Sequence, residues 1–586
     1  MGPVRSSDGA PTAVVVGGGI AGLATAGLLA RDGYRVELLE QRAEVGGRAG
    51  SWSTQGYRFD TGPSWYLMPE VFDRFFELMG TSTAEQLDLV TLDPAYRVYA
   101  EGYAEPVEIT ADTAENLATF ERLEPGAGAR LAEYLDSAQR SYDMALRHFL
   151  YTSFTSRRWL LEPDVLRQAH RLVPLLLRSL KDHVAARFTD RRLRQILGYP
   201  AVFLGSSPER TPSMYHLMSA LDLTGGVRYP QGGFTRLIEA VAGLAVDAGV
   251  TVRTGCRVTA LTTRPGGRGR GRQARVTGVR YRGANGATHE LAADVVVAAA
   301  DLHHVESELL PPDLRDRPPR WWQRHDPGPG GVLVYLGVEG RLPELTHHTL
   351  LFTRDWDRNF RDIREGRVPS PASAYVCTPS RTDPTVAPAG AENVFILVPV
   401  PADPGIGHGG LDGGGDPAVE AAADAAIDQL AAWTGIPDLR ERIRVRRTVG
   451  PADFAADLGA WRGSLLGPAH TLRQSAFFRP GNASRRVAGL YYAGASTIPG
   501  VGLPMCLISA EITRDRIRTE YPHPPAESAR PHPSAESARP HPSAESSIPA
   551  NGPDGGSSVE GGGVAGIELS AHDRVGPGLP GAGRGE

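Results

Sequence analysis

The chain of 586 residues contains few cysteines and no strong excess of charge. Its three cysteines, Cys256, Cys377 and Cys506, are far apart in sequence. No pair has the spacing of a zinc site, a redox motif or a disulfide framework, so we expect no bound metal and a reducing, cytoplasmic setting. The formal net charge of -5 is small for this length and gives no reason to expect nucleic acid as a partner.

Long apolar runs are also missing. No stretch approaches the roughly 20 apolar residues that a membrane-spanning helix needs, so we expect any association with a membrane to be peripheral. Residues 1–11 are polar and lack the apolar core of a signal peptide. At this length two or three domains are expected, because a single hydrophobic core rarely grows so large.

A strand, a helix and a second strand are predicted near the start of the chain. Residues 13–16 form a continuous apolar run, and residues 35–40 contain another. Between them, apolar residues recur at helical spacing over 20–28, and Gly33 lies where the helix should end. A parallel strand pair with a crossover helix is typical of an α/β sheet that is buried on both faces.

The turn between this strand and this helix has the pattern of a nucleotide-binding loop. Gly17 permits the tight turn, Gly19 lets a pyrophosphate approach the backbone, and Gly22 lets the helix pack closely. The helix N-terminus then offers free N–H groups to an anion. Glu40, at the end of the second strand, is placed to bind a ribose hydroxyl. The same glycine pattern at 405–410 and 561–566 lacks this strand and helix, so we regard both as chance matches.

The remaining order predicts a nucleotide-binding domain that other segments interrupt. Residues 111–221 have a helical pattern, and within them 151–200 hold ten arginines or lysines against four acids. Strand patterns return at 251–253, 293–298, 331–338, 393–400 and 489–493, and a helix is predicted over 507–518. The predicted divisions are a disordered 1–11; a nucleotide-binding domain from 12–105, 226–305 and 451–520; a helical region 106–225; a substrate domain 306–450; and a disordered tail 521–586.

The segment after Glu40 narrows the choice of nucleotide. Glu44-Val45-Gly46-Gly47-Arg48 provides two permissive glycines and a cation that can neutralise one phosphate. With this spacing the chain resembles the flavoprotein superfamily of amine oxidases and carotenoid desaturases. The resemblance implies FAD as the cofactor, with Gly46, Gly47 and Arg48 near its pyrophosphate.

Further motifs make the chain similar to the bacterial phytoene desaturases over about residues 12–520. Residues 59–65 resemble the family segment along the flavin, residues 229–234 its re-entry into the FAD domain, and residues 492–505 its C-terminal FAD signature. Residues 347–349 and 474–480 are also similar to that family. The further cofactor-binding residues that the resemblance implies are Gly62, Pro63, Ser64, Val258, Gly494, Gly502, Leu503 and Met505.

The resemblance also implies a fold and an activity. The expected fold is α/β: a Rossmann-like FAD-binding domain of the glutathione-reductase and amine-oxidase type, with an inserted substrate domain and a helical, membrane-facing region. The expected activity is desaturation of phytoene or a related linear carotene, with hydride transfer to the flavin and loss of a proton. No spacing identifies the base. Asp164 is a catalytic candidate by alignment, and His303, His304, His347 and His348 are candidates by chemistry alone.

Several alternatives share the same motifs. A carotenoid isomerase or ketolase would carry them, as would an amine oxidase, and proteins that extract prenylated GTPases from membranes use a similar fold. The basic, leucine-rich segment 151–200 suits docking on an anionic bilayer. We therefore expect a long-chain polyene substrate and peripheral association with the inner face of the cell membrane, and the oligomeric state stays open.

Overall fold

The structure, a computed structural model, describes residues 10–155, 163–266 and 273–521, but not the side chains of 163–166, 168 and 169. The predicted disordered tail, most of the N-terminal segment, the glycine pattern at 561–566, Arg157 and Arg158 lie outside the described residues.

The strands in chain order are β1 Thr12–Val16, β2 Arg35–Leu39, β3 Ser51–Thr54, β4 Tyr57–Asp60, β5 Leu89–Thr91, β6 Tyr96–Ala100, β7 Val107–Ile109, β8 Arg228–Pro230, β9 Thr251–Arg253, β10 Arg257–Arg264, β11 Ala274–Arg282, β12 Thr288–Ala292, β13 Val295–Ala298, β14 Gly330–Glu339, β15 His348–Phe352, β16 Ala374–Cys377, β17 Ala391–Val400, β18 Ile443–Val449, β19 Val487–Ala488 and β20 Leu490–Tyr492.

The α-helices are α1 Ile20–Arg31, α2 Pro69–Met79, α3 Thr83–Gln86, α4 Thr113–Leu123, α5 Ala127–Ala145, α6 Pro163–Leu177, α7 Leu180–Ala185, α8 Arg191–Gly198, α9 Pro200–Phe203, α10 Met218–Leu223, α11 Phe234–Asp247, α12 Leu302–His304, α13 Pro319–Gln323, α14 Trp356–Arg364, α15 Pro417–Thr434, α16 Pro451–Leu458 and α17 Leu503–Glu520.

The predicted strand–helix–strand unit lies at the centre of a five-stranded parallel sheet. The strand order is β20-β13-β1-β2-β9, so β1 pairs with β13 on one side and β2 on the other. Successive side chains of β1 alternate between two hydrophobic cores: Val15 packs in one and Val14 in the other. Burial on both faces explains why the strand is a continuous apolar run rather than an alternating one.

The sheet joins segments that are distant in sequence. Its strands come from residues 12–39, 251–253, 295–298 and 490–492, and α1 packs against both α11 and α17. The predicted strands over 251–253, 293–298 and 489–493 and the predicted C-terminal helix are therefore confirmed. This interrupted nucleotide-binding sheet is the expected α/β arrangement.

A second, seven-stranded sheet has the order β18-β14-β17-β16-β15-β6-β7 and is antiparallel except between β6 and β15. The strands predicted over 331–338 and 393–400 are β14 and β17, which pair with each other inside this sheet. The strand β6 comes from the segment 12–105 that was assigned to the nucleotide-binding domain. Its buried residues Tyr96 and Val98 alternate with half-buried ones, as expected for a strand packed on one face.

Residues 111–221 are mostly helical, as predicted, and contain α4 to α10. Asp112 begins α4 because its side chain accepts a hydrogen bond from the backbone N–H of Ala114. The long helix α5 places Leu131, Tyr134 and Ala138 in the core. No helix among the described residues is both long and apolar enough to cross a membrane.

Candidate active site

The N-terminal glycine turn joins β1 to α1 in a tight bend. Gly17 has φ +104°, a conformation that L-residues rarely adopt, and its N–H donates to Leu39 O at 2.8 Å. Gly22 lies directly behind it, since a Cβ there would stand 2.0 Å from Gly17 O. Gly22 therefore brings the helix against the turn, and it does not line the cavity described below.

Glu40 holds this turn in place from the end of β2. Its buried carboxylate accepts a hydrogen bond from Gly18 N at 2.6 Å through Oε2 and from Arg42 N at 2.9 Å through Oε1. The second glycine pair closes over the same turn, because Gly46 N donates to Gly18 O at 2.8 Å. The two predicted phosphate-binding loops thus form one backbone surface.

Arg48 extends from the second loop toward the opposite wall. Its Nε donates to Leu465 O at 2.9 Å, and its Nη2 lies 4.0 Å from Asp301 Oδ2. Asp301 Oδ1 begins α12 by accepting from His303 N, whereas Oδ2 is buried with no hydrogen-bond partner among the described residues. Polar and charged groups therefore concentrate at this end of the cavity.

The C-terminal signature forms a second strand–loop–helix turn opposite the first. Gly502 has φ +120° and begins α17, whose first N–H groups have no partners within the helix. Gly494 N donates to Ser509 Oγ at 3.0 Å, which fixes the start of the loop against the same helix. This geometry offers a helix N-terminus to an anion.

Arg479 supports this loop from behind. Its guanidinium is buried and donates to Ala495 O at 2.6 Å and to Thr497 O at 3.1 Å. It also donates to the carbonyls of Pro468 and Gln474 at 3.2 Å. Burial lowers the pKa of Arg479 to about 10. The described residues give it no carboxylate partner, so a buried cation lies directly behind the loop.

Both turns line one continuous cavity. Its volume is about 460 Å³, within the ~300–1,000 Å³ of a small-molecule pocket, and its lining runs from the glycine turns to an apolar part. The predicted cofactor residues on its wall are Gly17, Gly19, Glu40, Gly46, Gly47, Arg48, Gly62, Pro63, Ser64, Val258, Gly494, Gly502, Leu503 and Met505.

The histidine candidates fall in three different places. His304 lines the cavity, and His303 lies in a separate small pocket, where its ring stacks with Trp461. His347 and His348 are buried, and one ligand atom from each lies within 4.8 Å of one from Cys377. The spacing of the cysteines along the chain could not predict this group, because the pairing of β15 with β16 brings His348 and Cys377 together.

Asp164 and the glycine pattern at 405–410 are the remaining two predictions from the sequence. Asp164 lies in the first turn of α6, and its side chain is outside the described part, so its catalytic role stays a prediction. The glycine pattern at 405–410 begins within a short 3-10 helix, Pro404–Ile406, and continues as a loop, with no strand-to-helix turn of the nucleotide-binding kind.

The other half of the cavity has an apolar lining that no motif had indicated. One wall comes from helices between residues 200 and 223, and the other from β14 and β17 of the seven-stranded sheet. The apolar residues of these two walls are Phe203, Leu204, Leu217, Met218, Leu221, Leu333, Phe395 and Leu397. Three polar side chains among them, Tyr215, Tyr375 and His470, were also missed.

The residues of the polar half fit FAD. Two glycine turns line the cavity together with Glu40 and Arg48, and a helix begins at each turn. A Cβ at Gly19 would meet only Gly47 Cα, at 4.0 Å, so the space beside this backbone is left for a ligand. Pyrophosphate and ribose are the groups that such turns bind.

Comparisons with known proteins agree with this geometry. Residues 20–517 match the family of flavin containing amine oxidoreductases. The chain is 39% identical to a carotenoid 3,4-desaturase of Haloarcula japonica, over 86% of this chain and 97% of the relative. It is 35% identical to a zeta-carotene-forming phytoene desaturase of Myxococcus xanthus, over 86% of this chain and 93% of the relative.

Solved structures support the fold. An oxidoreductase from Methanosarcina mazei has a TM-score of 0.55 at 16% identity, covering 86% of this chain and 100% of its own. A putrescine oxidase variant has a TM-score of 0.53 at 14% identity, covering 87% and 99%. The Rossmann-like fold of the amine-oxidase type is therefore confirmed, and FAD is the cofactor. The chain belongs to the flavin containing amine oxidoreductase family and, within it, to the carotenoid desaturases.

Proposed function

We propose that this protein desaturates phytoene or a related linear carotene with FAD as the oxidant. One observation carries the proposal: apolar residues line the same cavity as the turns that fit the cofactor. The relatives named as carotenoid and phytoene desaturases, aligned over 86% of this chain, support the same reaction. FAD supplies hydride acceptance, and the protein fixes an unreactive hydrocarbon beside it.

The apolar walls supply the binding energy for such a substrate. Burying hydrocarbon surface contributes roughly 25 cal/mol per Å², so a long polyene needs no charged partner to bind tightly. Leu217 and Leu221 from the helical wall face the same space as Leu397 from the sheet wall.

Product analysis tests this function against its alternatives. The purified protein is incubated with phytoene in liposomes with an electron acceptor, and the products are followed by polyene absorption and by mass. Desaturation removes two hydrogens per step and lengthens the chromophore. An unchanged mass would indicate an isomerase and an added oxygen a ketolase. Hydrogen peroxide formed from amines, with no polyene product, would indicate an amine oxidase.

The proposal extends to docking on a bilayer, since the substrate is a hydrocarbon. Helix α6 exposes Val173, Leu176 and Leu177, the last with 74% of its surface accessible. Phe477 and Phe478 are each 51% exposed, and Phe477 contacts Phe154 with ring centroids 6.3 Å apart. Exposed large apolar side chains of this kind are typical of surfaces that enter a membrane interface.

The 3-10 helix Ser213–Leu217 connects the apolar group on α6 with the cavity wall. Ser213 Oγ donates to Leu175 O of α6 at 2.9 Å, and Tyr215 and Leu217 line the cavity. Tyr215 Oη bonds to Nδ1 of His470, in the segment of the chain that leads to Phe477. A bilayer that contacts the exposed residues of α6 would therefore be separated from the substrate space by this short helix alone.

Two arginines of the basic segment have partners within the protein. Arg191 donates to Glu101 O and lies over the Tyr103 ring at 4.9 Å. Arg192 forms an ion pair with Asp190 at 2.8 Å. Both cations have partners within the protein, so we assign docking to the apolar group on α6 and the 477–478 pair rather than to these two.

Liposome flotation tests the docking. The triple variant Leu177→Ser, Phe477→Ser and Phe478→Ser should lose most of its binding to anionic vesicles, with its FAD content unchanged. Leu411→Ser is the matched control, since Leu411 is 59% exposed in the loop before α15. Equal flotation of the triple variant and the control would contradict docking through this surface.

A further inference from the structure

Two tyrosine–histidine pairs lie at the cavity wall, and they differ in one respect. Tyr375 Oη bonds to His348 Nδ1 at 2.8 Å, and Tyr215 Oη bonds to His470 Nδ1 at 3.0 Å. Both tyrosines line the cavity. Each of these tyrosine hydroxyls therefore lies at the cavity wall and is hydrogen-bonded to a histidine ring.

His470 has both ring nitrogens occupied. Its Nε2 accepts from Val501 N at 3.3 Å, so its proton lies on Nδ1 and points to Tyr215. An imidazole in this tautomer has no free lone pair toward the phenol. His470 thus orients the loop before α17 and cannot accept a proton from Tyr215.

His348 is different. Its Nε2 is buried with no hydrogen-bond partner among the described residues, so no neighbour fixes the proton of the ring. The ring stacks on Trp65 with centroids 4.4 Å apart, which holds its plane and leaves Nδ1 facing Tyr375. Ser64 Oγ lies 2.6 Å from the same phenol oxygen and orients it from the cofactor side.

We propose that Tyr375 receives the substrate proton during desaturation and passes its own proton to Nδ1 of His348. This inference rests on the proposed function and supplies the base that the sequence did not identify. With FAD bound, the hydrogen of one C–H bond would leave with the bonding electron pair, as hydride, to the flavin. The neighbouring C–H loses its proton to Tyr375 Oη, and its electron pair becomes the new double bond.

The electrostatic setting is consistent with this role. Burial raises the pKa of Tyr375 well above its usual range and lowers the pKa of His348 well below its own, so both begin neutral. A weak base suffices, because hydride loss leaves the substrate electron-poor and makes the adjacent C–H strongly acidic. In the resting enzyme this neutral pair places no charge beside a hydrocarbon, where a charge would be costly, and the His348 imidazolium forms only when the proton is transferred.

The test compares four holoenzymes: wild type, Tyr375→Phe, His348→Gln and Tyr215→Phe. FAD content and melting temperature establish that each variant is loaded and folded. Tyr375→Phe should lower kcat by about 100-fold or more, in the range of general acid–base contributions. His348→Gln should fall with it, because glutamine holds the hydrogen bond but accepts no proton. Tyr215→Phe should change mainly KM.

A labelled substrate separates proton transfer from packing. Deuterium at the carbon that loses the proton should give a larger isotope effect on kcat in Tyr375→Phe and His348→Gln than in wild type or Tyr215→Phe. A merely structural role would lower kcat without this change. If Tyr375→Phe does not fold, His348→Gln carries the same isotope test.

Three outcomes would overturn the inference. These are wild-type kcat in Tyr375→Phe, an isotope effect that no variant alters, and a stoichiometric metal ion that is lost in His348→Gln. The last would show instead that His347, His348 and Cys377 bind an ion. Failure of the proposed function is distinct, because the wild-type enzyme would then form no longer polyene at all.

Discussion

The polar and the apolar halves of the cavity are built on different principles. In the polar half the backbone forms the surface: Gly17, Gly46 and Gly502 adopt positive φ, and two helices begin at the wall. In the apolar half, side chains such as Leu221 and Leu397 form the surface and the backbone lies behind them. The first recognises phosphate and ribose groups, and the second recognises only length and shape.

The two kinds of surface differ in how well they tolerate amino-acid substitution. A backbone surface fails when any Cβ is added, because no rotamer can remove it. A side-chain surface adapts, since a different apolar residue refills the space at modest cost. We therefore expect the polar half to tolerate few substitutions and the apolar half to determine which polyene is accepted.

The largest expected effect is at Gly22. In Gly22→Ala the new Cβ would lie 2.0 Å from Gly17 O, so the turn must move away from α1. Such overpacking costs about 3 kcal/mol, which corresponds to more than 100-fold in FAD affinity. The flavin absorbance per protein after desalting measures the loss. Gly243→Ala in α11, where a Cβ meets nothing within 4 Å, is the control and should retain FAD.

A comparably large effect on stability is expected at Arg479. Replacing it in Arg479→Gln leaves buried carbonyls of Ala495, Thr497 and Pro468 without their donor. We expect the free energy of unfolding to fall by about 3 kcal/mol, since each unsatisfied buried group costs about 1–3 kcal/mol. Thermal unfolding measures it. An unchanged melting temperature would show that the loop before α17 does not depend on this cation.

A substitution in the apolar half should weaken substrate binding and leave FAD binding unchanged, the reverse of Gly22→Ala. In Leu397→Gln a polar amide replaces a cavity-lining isobutyl group, and we expect the enzyme to lose about 2 kcal/mol of hydrocarbon binding, roughly 30-fold in KM. FAD content should stay at the wild-type level. Steady-state kinetics on one polyene, with Leu397→Met as the volume-matched control, checks the prediction. Loss of FAD from Leu397→Gln would mean that the two halves are not independent.

The smallest effect is expected for Arg48→Lys. The charge is kept, but the Nε bond to Leu465 O at 2.9 Å is lost with the guanidinium fork. We expect about 1 kcal/mol, or roughly five-fold, in FAD affinity. Titration of the apoprotein with FAD measures it, and Arg48→Ala should lose clearly more. Equal losses in both variants would show that the charge itself contributes nothing.

The same contrast explains what the sequence could predict. The strand, helix and strand of residues 12–39 were predicted closely, because an apolar run, a glycine spacing and a helical period are all local patterns in the sequence. The cofactor cavity was predicted for the same reason, from its two turns. The parallel pairing of β6 with β15 left no local pattern, since it joins residues about 250 positions apart.

The side-chain half was harder to predict for a physical reason. Tyr375 and His348 lie on neighbouring antiparallel strands, and their register alone brings the phenol to the imidazole. No spacing along the chain encodes such a contact. Arg479 was noticed only within a family-like segment, although its burial without an acid partner is one of the more informative features of the fold.

The division of the central sheet has a consequence for biosynthesis. Strand β13 lies between β1, made among the first residues, and β20, made almost 480 residues later. A ribosome-bound chain that has not yet reached β20 therefore presents one edge of β13 unpaired and lacks the second turn of the flavin site. We expect cofactor capture only after β20 and α17 have been made, and the bound dinucleotide then links the first and the last elements of the ordered chain.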